Sequence, residues 1–329
     1  MSAQLSEIQV REFHRRCTVV DTHADTLLRY MDGKRNLGDR RGDGHIDLPR
    51  LVEGGVDAQF FACYIEAEYK PDRGLKRALQ MIDLFYQQLE SNAGRMAHCT
   101  TSSQIEEAVK SGKVAAILAI EGGEAIGDDL AALRALQRLG VRSIGLVWNQ
   151  RNLIADGIGE QRTKGGLTNF GVQVVKEMNR LGIIVDVSHL TDEGFWDVIE
   201  TSTVPIMATH SNSRAVCYHP RNLADDQIKA LAKNGGVMGM NFAPYFVHKE
   251  KATVDGILDH IDHIVDLVGP DHVGLGSDFD GIRATPEGLD DVTQTWHITD
   301  GLFQRGYSEE DVEKILGKNH LRVIREVMG

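Results

Sequence analysis

Cysteine is scarce in this chain and poorly placed for cross-linking. Its four cysteines, Cys17, Cys63, Cys99 and Cys217, form no CxxC pair and are spaced too widely for a disulfide framework. Cys17, Cys63 and Cys217 fall in or near apolar segments and read as buried reduced thiols, as in a cytoplasmic protein. Positive charge is short as well. With 36 Lys and Arg against 48 Asp and Glu, the formal net charge is −12 and no basic block stands out. Such a chain gains little from a polyanion or an anionic bilayer, so neither nucleic acid nor a membrane is an expected partner. No apolar run reaches the ~18 residues of a membrane span. The opening MSAQLSEIQVREFHRRC has no apolar stretch of the kind a signal peptide needs. Internal repeats, low-complexity tracts and Pro/Ser-rich linkers are missing too. At 329 residues and 42 % hydrophobic, the chain reads as one domain, 1–329, with a large core.

What the sequence does have is alternation. Eight strand-like runs, at 17–21, 56–65, 114–120, 143–148, 183–188, 205–209, 236–241 and 272–276, are separated by helical patterns. Clear amphipathic cases are 129–139 and 225–233, the latter with acids in its first turn, and a helical segment, 309–327, closes the chain. Near-continuous apolar strands in a strand–helix repeat predict a (β/α)8 TIM barrel. A doubly wound sheet would usually place a Gly-rich phosphate turn after its first strand; here that strand runs into DTHAD. The longest loop-like insertions, 31–44 and 151–169, follow strands at the end of a barrel where loops carry function.

Four of the strands run into residues that bind metals. The first reaches His23 and Asp25, the third Glu121, the fifth His189 and the sixth His210. In an extended chain residues i and i+2 face the same way, so His23 and Asp25 project together, with Asp21 a step deeper as a supporting partner. Any one of these residues alone is as well explained by a capped turn or a satisfied rim side chain. All five at strand ends point to a metal site at the mouth of a barrel. Five N/O ligands exceed the three of a mononuclear catalytic zinc. The set therefore fits two divalent metal ions bridged by Glu121, with His23 and Asp25 on one and His189 and His210 on the other. Such ions, ~3.5–4 Å apart, hold a hydroxide for attack and polarise a carbonyl. With no thiolate ligand the expected metal is Zn2+, with Mn2+ or Co2+ able to serve. Asp278, in the loop after the eighth strand, is placed to shuttle a proton, and Asp280 reads as a turn acceptor before Gly281. His260 and His263, i and i+3 on a helix, read as polar-face residues.

The motifs DTHAD, IEGG, DVSH, THS followed by PRN, and HVGLGSDFDG followed by PEGLDD occur in this order. In this the chain resembles the membrane (renal) dipeptidase family, peptidase family M19, from about Val19 to its end. GSDFDG…PEGLDD and HSNSRAVCYHPRNL are the specific segments; HxD and EGG are weak alone. The resemblance implies a binuclear zinc dipeptidase of the amidohydrolase superfamily, generally dimeric and tolerant of a D-residue at the C-terminal position. It implies His23, Asp25, Glu121, His189 and His210 as ligands, Glu121 as bridge and Asp278 as acid/base. It also implies that Arg221 holds the substrate's free carboxylate, a task that suits the guanidinium fork. The chain departs from the pattern after its fourth strand, where animal members carry a His that helps bind the scissile carbonyl. Trp148 stands there, followed by Asn149, and both are candidate substrate-binding residues. An amidase or lactam hydrolase acting on another small carboxylate, or a catalytically silent binding barrel, are the alternative readings.

Overall fold

The computed structural model describes residues 5–329. Nine strands, all paired in parallel, order the chain: β1 Val20–Ala24, β2 Ala58–Tyr64, β3 Met96–His98, β4 Val114–Glu121, β5 Val141–Gly145, β6 Ile184–Asp186, β7 Met207–Ala208, β8 Val237–Met240 and β9 Val273–Leu275. Eight of them close a (β/α)8 barrel in the order β1-β2-β4-β5-β6-β7-β8-β9, sealed where Asp21 of β1 pairs with Leu275 of β9. β3 is outside that count. It occupies the lower part of the β4 edge, from Met96↔Val114 to His98↔Ala116, below the part that β5 takes from Leu118 onward.

The strands bury both faces, as parallel strands under helices must. Val20, Phe60, Ile117, Ile184, Met207 and Val237 pack with Val323, Ile324 and Val327 of the last helix, Asn319–Met328. Their neighbours along the strands, such as Phe61, Leu118, Ile144, Val185 and Met238, belong to the larger cluster with the surrounding helices. Predicted helices appear with capping that explains their bounds. Leu130–Arg138 starts after Asp129, whose side chain accepts from the Ala131 N–H, and Asp225–Lys233 has the predicted acids in its first turn. The closing segment is not uniform. Between Glu309–Glu313 and Asn319–Met328 lies a π turn, Lys314–Lys318. There Gly317 passes so close to β1 that a Cβ would sit 2.1 Å from the Thr18 carbonyl oxygen.

All four cysteines are buried and unpaired. No helix among the described residues is long and apolar enough to cross a membrane. One reading of the sequence is corrected: His260 is not on a polar face but fully buried. Its ring accepts from the Ser213 N–H at 3.1 Å and its Nε2 lies 3.1 Å from the Val247 carbonyl. His263 pairs with Asp225 at 2.8 Å.

Candidate active site

The barrel delivers the predicted residues to one place by three local devices. His23 lies within β1 and Glu121 is the last residue of β4, so the strands aim them directly. Asp25 begins the turn into a short helix, its N–H held by the Phe279 carbonyl at 3.0 Å. The other residues are carried past the strand ends. β6 stops at Asp186, whose carboxylate accepts from the Ser188 N–H at 2.9 Å and the Thr209 N–H at 3.0 Å. The chain then turns back, and His189 sits in the left-handed region at φ +73°. Asp278 and Asp280, after β9, do the same at φ +63° and +66°. Non-glycine residues adopt this conformation rarely, with His and Asp among those that tolerate it best.

Glu121 lies between two pairs. Its Oε2 is 3.8 Å from His23 Nε2, and its Oε1 is 2.8 Å from His189 Nε2 and 3.5 Å from His210 Nε2. His23 Nε2 is also 3.5 Å from Asp25 Oδ2, and the facing Nε2 atoms of His189 and His210 are 2.9 Å apart. Ligand atoms of His23, Asp25 and Asp278 fall within 4.8 Å of one another, as do those of His23, Glu121 and His210. All five predicted ligands are buried. His23 Nε2 and Asp25 Oδ1 have no hydrogen-bond partner. Buried polar atoms left this way are costly unless something else meets them.

Electrostatics agree. Burial pushes the Glu121 carboxyl well above its ordinary range, with Asp25 adding to it. Burial opposes charge on His23, but Glu121 and Asp25 outweigh it and raise the imidazole to about 10. His189 and His210 are driven well below their ordinary value by burial. Burial also lifts Asp278 to about 6. Two buried carboxylates facing three imidazoles, with orphaned donor atoms between them, form a set that fits divalent cations.

Around this group several side chains fix orientation. Thr209 Oγ1 donates to Asp186 Oδ2 at 2.7 Å and lies 2.9 Å from His210 Nδ1. Asn149 Oδ1 is 2.9 Å from His189 Nδ1. Asn241 Nδ2 donates to Asp278 Oδ2 at 2.9 Å; it ends the predicted seventh strand, and its position there was the only signal in the sequence. Asp21 does not reach the His23 ring. Its carboxylate takes the Ser277 hydroxyl at 2.6 Å and the Ser277 N–H at 2.9 Å, stitching β1 to the loop after β9. Asp280 is more than a turn acceptor: buried, it binds the Thr26 hydroxyl and the His45 N–H, both at 2.8 Å, and so anchors the end of the 31–44 insertion. Gly281 must lack a side chain, since a Cβ would meet Asp25 Oδ2 at 2.1 Å and Asp278 Oδ1 at 2.5 Å.

A cavity of about 640 Å³ opens over the group, lined among others by Tyr64, Trp148, Asn149, Ile158, Arg221 and Tyr245. Arg221 is only 6 % exposed. Its guanidinium donates to the His210 carbonyl at 3.2 Å and the Ser211 hydroxyl at 3.4 Å, while its Nε has no partner. Among the described residues no carboxylate forms an ion pair with it. The Trp148 ring stands 5.2 Å from Tyr64 and 6.0 Å from His189, centre to centre.

The sequence model for membrane dipeptidases, peptidase family M19, matches residues 7–328. The chain belongs to the membrane dipeptidase family. Among relatives of this family, dipeptidase tcpJ of Claviceps purpurea is 36 % identical over 295 residues, 86 % of this chain and 69 % of the relative. Dipeptidase verJ of Clonostachys rogersoniana is 36 % identical over 297 residues, 86 % of this chain and 76 % of the relative. A crystal structure of a Rhodobacter sphaeroides metallopeptidase, liganded with a phosphinate mimic of the dipeptide L-Ala-D-Ala, superposes with a TM-score of 0.90. It is 33 % identical, over 94 % of this chain and 99 % of that one. Membership in this dipeptidase family makes the protein a metal-dependent peptidase, and the donor group at the mouth of its barrel is where divalent metal fits.

Proposed function

We propose that this protein is a binuclear metallodipeptidase that hydrolyses dipeptides, including those of the L-Xaa-D-Xaa type, as one catalytic unit. The observation that carries the reading is the buried Arg221 guanidinium, without a carboxylate partner, beside a group of metal-binding donors in a cavity of about 640 Å³. The ligand bound to the Rhodobacter relative supports it. His23, Asp25 and Glu121 would hold one ion and Glu121, His189 and His210 the other. When bound, such ions supply Lewis acidity towards the carbonyl and an activated water. Zn2+ is our choice for both, from the N/O donor set without thiolate. The homodimer implied by the resemblance is our proposed assembly. Four buried unpaired cysteines support the cytoplasm as the compartment.

The protein's own groups do the remaining work. Arg221 pairs with the substrate's terminal carboxylate and sets its register. Trp148 and Asn149 form the wall beside the scissile carbonyl, Trp148 offering an indole N–H where animal members have a His. Asp278, with Oδ2 held by Asn241, keeps Oδ1 to take a proton from the attacking water and pass it to the leaving amine nitrogen.

The test pairs a dipeptide with its C-terminal amide on wild-type and Arg221→Met enzymes. Losing one partner of a buried charge pair costs ~2–5 kcal/mol. Arg221→Met should therefore lower kcat/KM roughly 30- to several-thousand-fold on the free dipeptide and far less on the amide. Equal losses on both refute the carboxylate role. Parallel assays on L-Xaa-L-Xaa, L-Xaa-D-Xaa and lactam substrates separate a dipeptidase from an amidase of other scope.

A further inference from the structure

We infer that Asn149 is a positioning residue for His189, and that the loop following it is a clasp holding the two together. The inference rests on the reading of His189 as a metal ligand and goes beyond it. His189 is the least supported of the five by its own strand: three residues past the end of β6, its backbone is left-handed. What holds it comes from the loop after β5. The Asn149 amide oxygen faces His189 Nδ1 at 2.9 Å. The same loop returns and grips both backbones, the Ile158 N–H donating to the His189 carbonyl and the Gly159 N–H to the Asn149 carbonyl, each at 2.8 Å. Gly157 adds a bridge to Leu190.

The glycines are there because the loop passes within contact of the chain it grips. A Cβ on Gly157 would lie 2.3 Å from the Trp148 carbonyl oxygen and 2.6 Å from the Asn149 carbonyl carbon. One on Gly159 would lie 2.7 Å from the Asn149 carbonyl oxygen. The chemistry of the side-chain contact is specific. For Nε2 to offer its lone pair to an ion, the ring hydrogen must sit on Nδ1, and an acceptor at Nδ1 selects that tautomer and ring angle. Asn149 is that acceptor, which leaves only its amide N–H groups for a substrate. Because Ile158, Gly159 and Gln161 of the same loop line the cavity, the element that shapes the substrate's space also sets one ligand.

Outer partners of metal-bound histidines are commonly worth 10–100-fold in affinity. In a chelator competition read as bound zinc per chain, Asn149→Leu should release one of two ions roughly 10–100-fold more readily and leave the other unchanged. Asn149→Asp, which keeps the acceptor, should retain both ions. Gly159→Ala, whose added methyl pushes on the Asn149 carbonyl and leaves the Asn149 and His189 side chains in place, should fall between. Unfolding of the metal-free variants checks that each is folded, and Asn149→Asp against Gly159→Ala still decides the matter if Asn149→Leu is not. Wild-type affinity for both ions in Asn149→Leu, or equal losses in Asn149→Leu and Asn149→Asp, overturns the positioning role. Wild-type affinity in Gly159→Ala overturns the clasp. A wild-type protein that takes up fewer than two ions overturns the binuclear reading and this inference together.

Discussion

The two halves of the candidate centre are held in different ways. On the β6–β7 side, His189 and His210 each have a partner on Nδ1, Asn149 and Thr209, so their Nε2 atoms are aimed before anything binds. Charge there is low, since burial keeps both imidazoles neutral. On the β1 side, His23 Nε2 and Asp25 Oδ1 have no partners, and the carboxylates of Glu121, Asp25 and Asp278 crowd together. One half is organised by geometry and the other by crowded carboxylates, whose charge raises the His23 imidazole to about 10. A cation thus gains most from Coulomb attraction on one side and from preset lone pairs on the other.

The change expected to break both halves at once is Glu121→Ala, because each carboxylate oxygen faces one pair. Bound metal, measured by plasma emission, should fall from about two ions per chain to fewer than one, and turnover should vanish. Metal uptake like that of wild type would end the bridging role. Next in size is Asp278→Asn, which should lower kcat about 10²–10⁴-fold with both ions retained; near-normal turnover places proton transfer elsewhere. Thr209→Val tests the geometric half. It keeps the shape but removes the hydroxyl between Asp186 and His210, and should weaken retention of one ion by roughly 10–100-fold. If chelation curves match wild type, the preset half is a fiction. The smallest effect concerns stability away from the site. Burial holds His14 and His260 at about 4 and His320 at about 3. Their folded forms are neutral while the unfolded chain titrates near 6.5. Stability is therefore full above pH 6.5, declines as the unfolded state takes up protons, and levels off near the folded values. For His14 the loss is about 3 kcal/mol at ~1.4 kcal/mol per unit. Metal-free His14→Gln should be less stable at pH 7 yet lose less between pH 6.5 and 4.5 in urea titrations. Parallel curves would assign acid sensitivity to the carboxylate half instead.

Much of this was legible because buried parallel strands leave a plain mark: an apolar run followed by a polar residue that has no business in a core. Glu121 after AILAI is the clearest case, and His23 and His210 follow the same rule. The strand count was short by one because Met96–His98 has three residues and no apolar run; it exists through pairing with β4. β6 and β7 are shorter than their apolar runs suggest, since Asp186 and Thr209 divert the chain into hydrogen-bonded turns. Asn149 was read from the sequence only as a candidate substrate-binding residue; its contact with His189, and that of Asn241 with Asp278, were beyond reach for another reason. An amide's role depends on which ring or carboxylate the fold sets against it, and no spacing encodes that. The burial of His260 was missed because the contacts that satisfy it, Ser213 and Val247, come from other elements.

The left-handed backbone at His189, Asp278 and Asp280 has a bearing on engineering. Each such residue stores roughly 1–3 kcal/mol relative to a relaxed one. Glycine at these positions would relieve that energy and remove the side chains that the site is built from. Screens that select on heat resistance alone would therefore be drawn to three of the worst places to change. Thermostabilised versions of this barrel should instead be sought on the helical shell, with these codons held fixed and hydrolysis scored alongside melting.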